Sequence, residues 1–131
     1  MKKLEDDHYC FVCGEQNPYG FHLTFSLHED SVVTEFVPQK IHQGYKDIVH
    51  GGIISTLLDE AMVKAALLRG IPAITAEITV RFRNPLIVGE RVIIEASIIR
   101  MSKKIIETSA RMRKTDNTLV AEGHAKLLRQ D

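Results

Sequence analysis

Apolar and polar residues alternate along six segments of the chain. The segments are residues 21–28, 31–37, 74–83, 92–98, 106–112 and 119–127. An alternation with a period of two is typical of a β-strand that buries one face. Turn-forming pairs such as Asn84-Pro85, Gly89-Glu90 and Asp116-Asn117 separate the later segments. The pattern therefore predicts six strands.

Residues 51–70 interrupt this alternation. They are rich in Ala, Leu, Met, Glu and Lys, which favour helices, and they close on Arg69-Gly70, a typical helix end. Apolar residues occupy most of the circumference, so we expect the rest of the domain to enclose this helix. One face of the last strand carries mostly small side chains, which suits a close approach of helix and sheet (Leu119, Ala121, Gly123, Ala125 and Leu127).

One antiparallel sheet and one long helix define the expected fold. The connections after the third and fourth strands are short, so we expect those neighbouring strands to pair antiparallel. Such a sheet buries its apolar face by curling around the helix, an α+β architecture. Residues 1–20 lack a period and are expected to form an N-terminal loop segment, and no linker or repeat divides the chain. We therefore predict a single domain over residues 1–131.

Charge and composition narrow the function. The chain has 17 Lys plus Arg and 17 Asp plus Glu, so its formal charge is zero, whereas nucleic-acid binding needs a basic excess. The stretch free of charge that leads into the predicted helix, residues 48–58, is about half of the ~20 residues that a membrane helix needs, and no other such stretch in the chain reaches the length of a membrane helix. The first residues turn acidic where a signal peptide would be apolar. Two cysteines are too few to stabilise a secreted fold by disulfide bonds. We expect a cytoplasmic protein without nucleic-acid or membrane partners.

Asp59 is the most unusual residue of the predicted helix. Glu60 and Lys64 have the spacing of an ion pair, but the residues three and four positions from Asp59 carry no positive charge (Ser55, Thr56, Met62 and Val63). An unpaired carboxylate beside an apolar helix face is costly unless it is hydrogen-bonded, hydrated or protonated. Two interpretations stay open: an edge residue that reaches water, and a general base or nucleophile.

The sequence His50-Gly51-Gly52 stands where the helix begins. Glycines let another molecule approach the backbone, and the free N–H groups of a first helical turn point towards it. A helix N-terminus favours developing negative charge, so this turn is a candidate oxyanion site. The alternative is a flexible turn with a solvated histidine. His50 and Asp59 are nine residues apart, so they need not touch but could flank one substrate from different subunits.

Three sequence blocks together resemble a known enzyme family. They are CFVCGEQNPYG at residues 10–20, HQGYKDIVHGGIISTLLDEAM at residues 42–62 and TAEITVRFRNP at residues 75–85. The blocks are similar to the signature of hotdog-fold acyl-CoA thioesterases, in the phenylacetate-pathway (PaaI-like) branch of the 4-hydroxybenzoyl-CoA thioesterase superfamily. The order of predicted elements, two strands, a long helix and four strands, also matches a hotdog fold.

The resemblance implies a catalytic role for four residues. Asp59 would activate water or attack the thioester carbonyl directly. Thr75, from the same subunit, would orient the water. The Gly51 amide would polarise the thioester oxygen, with His50 helping to position it. The implied activity is hydrolysis of an acyl-CoA thioester.

The resemblance also implies how substrate and subunits meet. Gly52 and Gln43 are expected to bind substrate, Gln43 near the place where some relatives carry an asparagine. The acid and the HGG turn of one site would come from different subunits, so the implied assembly is a homodimer, possibly a homotetramer. An exposed strand edge that needs a cover agrees with such an assembly.

Two other functions stay open on the same fold. One is a non-catalytic module that binds acyl-CoA or an acyl ligand. Asp59 argues against it, because a pure binder has little reason to keep an isolated acid there. The other is a hotdog hydratase, whose Asp and His resemble a pair five residues apart, whereas Asp47 and His50 are three apart.

Cys10 and Cys13 have three interpretations. A zinc site lacks two ligands, although His8 is close in sequence and a second subunit could contribute. A redox pair would need a strand–helix–strand context, which the pattern does not provide. We expect a packed loop without a metal, and hydrolysis without a cofactor.

Overall fold

The computed structural model describes residues 3–131. Within that range the chain forms one long helix and six strands: β1 (Ser26–His28), β2 (Ser31–Phe36), α1 (Gly51–Leu67), β3 (Ala73–Phe82), β4 (Val92–Met101), β5 (Ile105–Lys114) and β6 (Leu119–Arg129). All strand pairs are antiparallel, and the order across the sheet is β1-β2-β4-β5-β6-β3. The predicted α+β fold, a sheet of six strands around one helix, is confirmed.

The helix α1 packs against five of the six strands. Its buried residues are apolar and recur at helical spacing (Ile54, Leu57, Leu58, Ala61, Met62, Ala65 and Ala66). An added Cβ at Gly123 of β6 would lie 3.2 Å from Met62 Cε and 3.6 Å from Leu58 Cδ1, so the expected close approach of helix and small-residue strand is confirmed. No helix within residues 3–131 is long and apolar enough to cross a membrane.

The strand predicted over residues 21–28 is wrong for most of its length, since only Ser26–His28 is strand. The preceding residues bond to the N-terminal loop instead: the Phe21 N–H donates to Phe11 O (3.2 Å) and the Leu23 N–H donates to Val12 O (3.0 Å). His22 has a φ of 55°, a left-handed conformation that interrupts an extended strand. The predicted loop is irregular over residues 3–20, while its first two residues lie outside the described range.

The predicted pairing of the third strand with the fourth is also wrong, whereas that of the fourth with the fifth is confirmed. β3 pairs with β6, and β4 pairs with β2. The connection between β3 and β4 bonds to the segment before α1, because Leu86 O accepts from the Val49 N–H and Asp47 O accepts from the Val88 N–H, both at 2.9 Å. Leu86 is fully buried there. The connection therefore crosses beside the start of α1 and leaves β3 at the edge of the sheet.

A bulge in β3 decides which of its side chains face the helix. The register shifts between Thr75, which pairs with buried Leu127, and Glu77, which pairs with exposed Lys126. The single apolar face expected for this strand is therefore split, and Thr75 shares the helix-facing side with Ile78 rather than opposing it. Without the bulge, strict alternation would turn Thr75 away from α1.

Candidate active site

A side-chain hydrogen bond joins α1 to β3. Thr75 Oγ1 donates to Asp59 Oδ1 across 2.6 Å. Asp59 is half-buried, and none of the ion pairs within residues 3–131 involves its carboxylate. Because the threonine hydroxyl donates to one oxygen, the other oxygen, Oδ2, keeps its lone pairs for a water molecule or a reacting group. The structure thus brings together the predicted acid and the predicted water-orienting hydroxyl.

His50 is the N-cap of α1, and its ring has a defined orientation. Its Nδ1 accepts from the Gly52 N–H at 2.8 Å. In the neutral ring this leaves the proton on Nε2, which points a donor away from the helix. An added Cβ at Gly52 would lie 3.0 Å from Nδ1, so glycine there leaves room for the ring. The Gly52 N–H holds His50, and substrate binding by Gly52 stays a prediction.

The first turn of α1 leaves one backbone donor free. The Ile53 and Ile54 N–H groups both donate to His50 O, and the Gly52 N–H donates to the ring. Gly51 is the remaining residue of that turn, and its N–H has no acceptor among the described residues 3–131. The partial positive charge of a helix N-terminus adds to this donor. The Gly51 N–H is therefore a free donor at the start of α1, and its role in stabilising an oxyanion stays a prediction.

Phe82, at the end of β3, lies beside Gly51, which the sequence analysis missed. An added Cβ at Gly51 would be 3.4 Å from Cε1 and Cζ of the Phe82 ring. The ring is 55% exposed, so it forms an apolar wall next to the free N–H. Its place on a strand and its apolar character were evident from the alternation. Its contact with the start of α1 depends on the position of β3 at the edge of the sheet, which the alternation does not show.

Gln43 lies in the turn that leads to His50. Its Oε1 accepts from the Asp47 N–H at 3.1 Å, and its backbone forms an isolated bridge with Val49. These bonds close the loop over residues 43–49 and fix where the HGG turn begins. Substrate binding by the Gln43 carboxamide stays a prediction.

The candidate site has two parts, the HGG turn at the start of α1 and Asp59 near the middle of the helix. Gly51 and Asp59 are eight residues apart in α1, or about 12 Å along the axis. Groups that act on one carbonyl must lie within about 3 Å of it. Asp59 and the Gly51 N–H of the same chain therefore do not meet at one reacting atom.

Glu60 does not form the expected ion pair with Lys64, because its side chain faces the cysteines of the N-terminal loop. Cys10 Sγ lies 3.5 Å from Glu60 Oε2. Burial, together with hydrogen bonds that the neutral thiol shares with Glu60 and Cys10, raises the pKa of the Cys13 thiol to about 12. A thiol with this pKa carries almost no thiolate at neutral pH, which argues against a nucleophilic or redox role in the metal-free protein.

Comparison with known proteins assigns the family. The sequence profile of the thioesterase superfamily matches residues 46–121, more than half of the chain and the whole span from the HGG turn to Ala121. The chain belongs to the thioesterase superfamily. The sequence-based recognition and the predicted enzyme class, a thioester hydrolase, are confirmed at the level of this family.

Three individual proteins are similar to this chain in sequence or in fold. The chain is 29% identical to human acyl-coenzyme A thioesterase 13 over 101 residues, which is 74% of this chain and 72% of that protein. The E. coli PaaI protein from the phenylacetic acid degradation operon has a similar fold, with a TM-score of 0.78, 20% identity and coverage of 83% of this chain and 84% of that one. A Streptococcus mutans protein bound to acetyl CoA has a TM-score of 0.78 at 16% identity and covers 82% of this chain and 88% of its own.

Proposed function

We propose that this protein hydrolyses acyl-CoA thioesters to a free acid and coenzyme A. The observation that carries the proposal is the Asp59–Thr75 hydrogen bond of 2.6 Å, which holds a half-buried carboxylate with no cationic partner among the described residues. A carboxylate held in this way has one oxygen available as a base or nucleophile. Family membership and an acyl-CoA thioesterase relative supply the substrate class.

The hydrolytic step is written with Asp59 Oδ2 at the reacting centre. A water oxygen bonds to the thioester carbonyl carbon while its proton passes to Oδ2, and the tetrahedral intermediate then expels the coenzyme A thiolate, which takes up that proton. Direct attack by Oδ2 would break the C–S bond, expel the coenzyme A thiolate and give an acyl-aspartate anhydride; water then hydrolyses the anhydride to the free acid, restores the carboxylate and supplies the proton of the thiol. Both routes need the same oxygen to be free, and Thr75 orients either the water or the carboxylate.

The oxyanion of that intermediate is assigned to the start of α1. The Gly51 N–H is the free donor of the first turn, and the Nε2 proton of the preceding residue, His50, is a second candidate donor. Both belong to a helix N-terminus, which favours negative charge. Such donors are in place before the reaction, so they stabilise the transition state without reorganisation.

A second copy of the chain completes the proposed site. On β3, Thr75 contacts Asp59 and Phe82 lies against Gly51. A two-fold axis at the β3 edge, passing through Thr79, would pair the two β3 strands antiparallel, with the bulge between Thr75 and Glu77 taking up one extra residue. That pairing sets Thr75 of one copy opposite Phe82 of the other, and it brings Asp59 near the partner copy's Gly51. It also covers the apolar side chains exposed along this edge.

We also propose the cellular setting and organisation that the sequence predicts: a cytoplasmic enzyme, one domain per chain, assembled as a homodimer or a homotetramer. The two cysteines are free thiols, which suits a reducing compartment. Size-exclusion chromatography with light scattering tests the assembly directly, and a monomer at micromolar concentration would contradict it.

The test of the activity is release of free thiol from a panel of acyl-CoAs with short, medium, long and aromatic acyl groups. We expect turnover of at least one class without added metal, and loss of that turnover on treatment with EDTA would contradict the proposed mechanism. If no member of the panel is turned over but acyl-CoA raises the melting temperature, the protein is a binding module and the proposal is wrong.

Mixed dimers test whether one site uses two chains. We expect dimers that join an Asp59→Asn chain to a Gly51→Pro chain to recover about half of the wild-type activity, although each variant alone is inactive. In the mixed dimer one site receives both defects and the other receives none. The measurement is thiol release by dimers purified through two different affinity tags. If each site lay within one chain, every site would carry a defect and no activity would return.

Replacing Thr75 by valine removes the hydroxyl without changing the shape of the side chain. We expect kcat to fall about 10- to 100-fold, because a hydrogen bond to a charged group contributes roughly 1.5–3 kcal/mol. Thr115→Val is the matched control, since Thr115 is exposed in the turn between β5 and β6, away from the proposed interface at the β3 edge. A wild-type kcat in Thr75→Val would exclude the hydroxyl from the reaction.

A further inference from the structure

A second cluster of side chains, of types that can bind a metal ion, lies outside the proposed active site. It joins the N-terminal loop to α1 through Cys10, Cys13 and Glu60, whose ligand-type atoms all lie within 4.8 Å of one another. All three residues are half-buried. None of them takes part in the hydrolytic site, although Glu60 directly follows Asp59. The sequence analysis found a zinc site two ligands short, and Glu60 supplies one of the two.

The loop is already folded as a turn around a sulfur atom. Cys10 Sγ accepts from the N–H groups of Val12 and Cys13, both at 3.4 Å, and Cys10 O accepts from the Gly14 N–H at 2.9 Å. An added Cβ at Gly14 would lie 2.2 Å from the Cys10 N, so only glycine permits the turn. Two N–H donors on one sulfur stabilise negative charge there. This is the charge that a metal-bound thiolate carries.

The spacing of the ligands fits a tetrahedral ion. With Zn–S of about 2.3 Å and Zn–O of about 2.0–2.1 Å, two ligands of a tetrahedral zinc lie about 3.5–3.6 Å apart. Cys10 Sγ and Glu60 Oε2 are 3.5 Å apart. Two soft sulfurs with one carboxylate oxygen also match the ligand preference of zinc better than that of magnesium or calcium.

We propose that Cys10, Cys13 and Glu60 bind one zinc ion, with a water molecule as the fourth ligand. Binding replaces the two thiol protons, which pass to solvent, and gives a site with three negative ligands around a divalent cation. The ion links the N-terminal loop to Glu60 of α1, the residue that follows Asp59.

Cobalt titration of the reduced, full-length, metal-free protein tests the proposal. Cobalt in a site with two thiolates gives an intense thiolate-to-cobalt charge-transfer band, which does not depend on enzyme activity. We expect the band to saturate at about one equivalent per chain, zinc to abolish it, and zinc to raise the melting temperature. Cys10→Ser and Cys13→Ser should each weaken or remove the band.

Glu60→Gln is the decisive variant, because it leaves both thiols in place. We expect cobalt affinity to fall at least about tenfold. Mutating a residue that only hydrogen-bonds to a metal ligand already lowers affinity by this factor. Glu15→Gln is the matched control: Glu15 is an exposed carboxylate of the same loop, 3.8 Å from His8, and its loss should leave binding unchanged. Wild-type affinity in Glu60→Gln, the absence of a charge-transfer band in folded wild type, or a disulfide that forms in place of metal binding would each overturn the proposal.

Discussion

We expect the Asp59→Asn variant to hydrolyse acyl-CoA about 10²–10⁴-fold more slowly than wild type, because a positioned base contributes a factor of this size. The substitution keeps the shape of the side chain, and the asparagine Oδ1 still accepts the Thr75 hydroxyl bond seen at 2.6 Å. What it removes is the basic or nucleophilic second oxygen. The loss should therefore appear in kcat, with KM close to that of wild type.

A matched control separates this chemistry from a general effect of charge. Asp30→Asn makes the same change at an exposed turn between β1 and β2, and we expect it to keep wild-type kcat. Circular dichroism and the melting temperature of both variants establish that they fold alike. If thiol release by Asp59→Asn equals that of wild type on every acyl-CoA that is turned over, Asp59 has no part in the reaction.

Asp59 was visible in the sequence because helical spacing is a local property. The positions three and four residues away carry no positive charge, so its lack of an ion pair could be read directly from the chain. The small-residue face of the last strand was visible for the same reason. Both features depend on residues close in sequence or on one alternating strand, and both are present in the structure.

The position of β3 was not visible, because it depends on contacts between distant parts of the chain. A connection of nine residues between β3 and β4 is compatible with a hairpin, and nothing local shows that Leu86 instead bonds to Val49. The bulge that turns Thr75 towards Asp59 is equally hidden, since the alternation places Thr75 on the opposite face. The assignment of Thr75 came from family resemblance alone.

Glu60 is a second residue whose contact in the structure could not be predicted from its neighbours in sequence. Its spacing to Lys64 is that of an ion pair, and the local rule gave a sufficient explanation for both charges. The structure sets Cys10 Sγ at 3.5 Å from Glu60 Oε2, across a sequence separation of 50 residues. An exposed ion pair contributes little free energy, so a tertiary contact is able to displace it.

Gly51→Pro should lower kcat about 10²–10³-fold, the effect of losing one oxyanion donor, or roughly 2.7–4 kcal/mol of transition-state stabilisation. Proline removes the N–H and nothing else that the fold needs. Gly51 is the first residue of α1, a position where proline is favoured because that N–H has no helical partner. His50, with a ψ of 134°, already has the conformation of a residue that precedes proline.

Gly51→Ala is the control that makes this prediction specific, because alanine keeps the N–H. Its Cβ would contact the Phe82 ring at 3.4 Å, an ordinary van der Waals distance, so we expect stability and kcat close to those of wild type. Thiol release and thermal unfolding, measured side by side, separate the two variants. An inactive alanine variant would assign the effect to crowding beside Phe82, and an active, folded proline variant would remove the Gly51 amide from the oxyanion site. The N–H accounts for this part of catalysis only if proline lowers kcat by the expected factor and alanine preserves it.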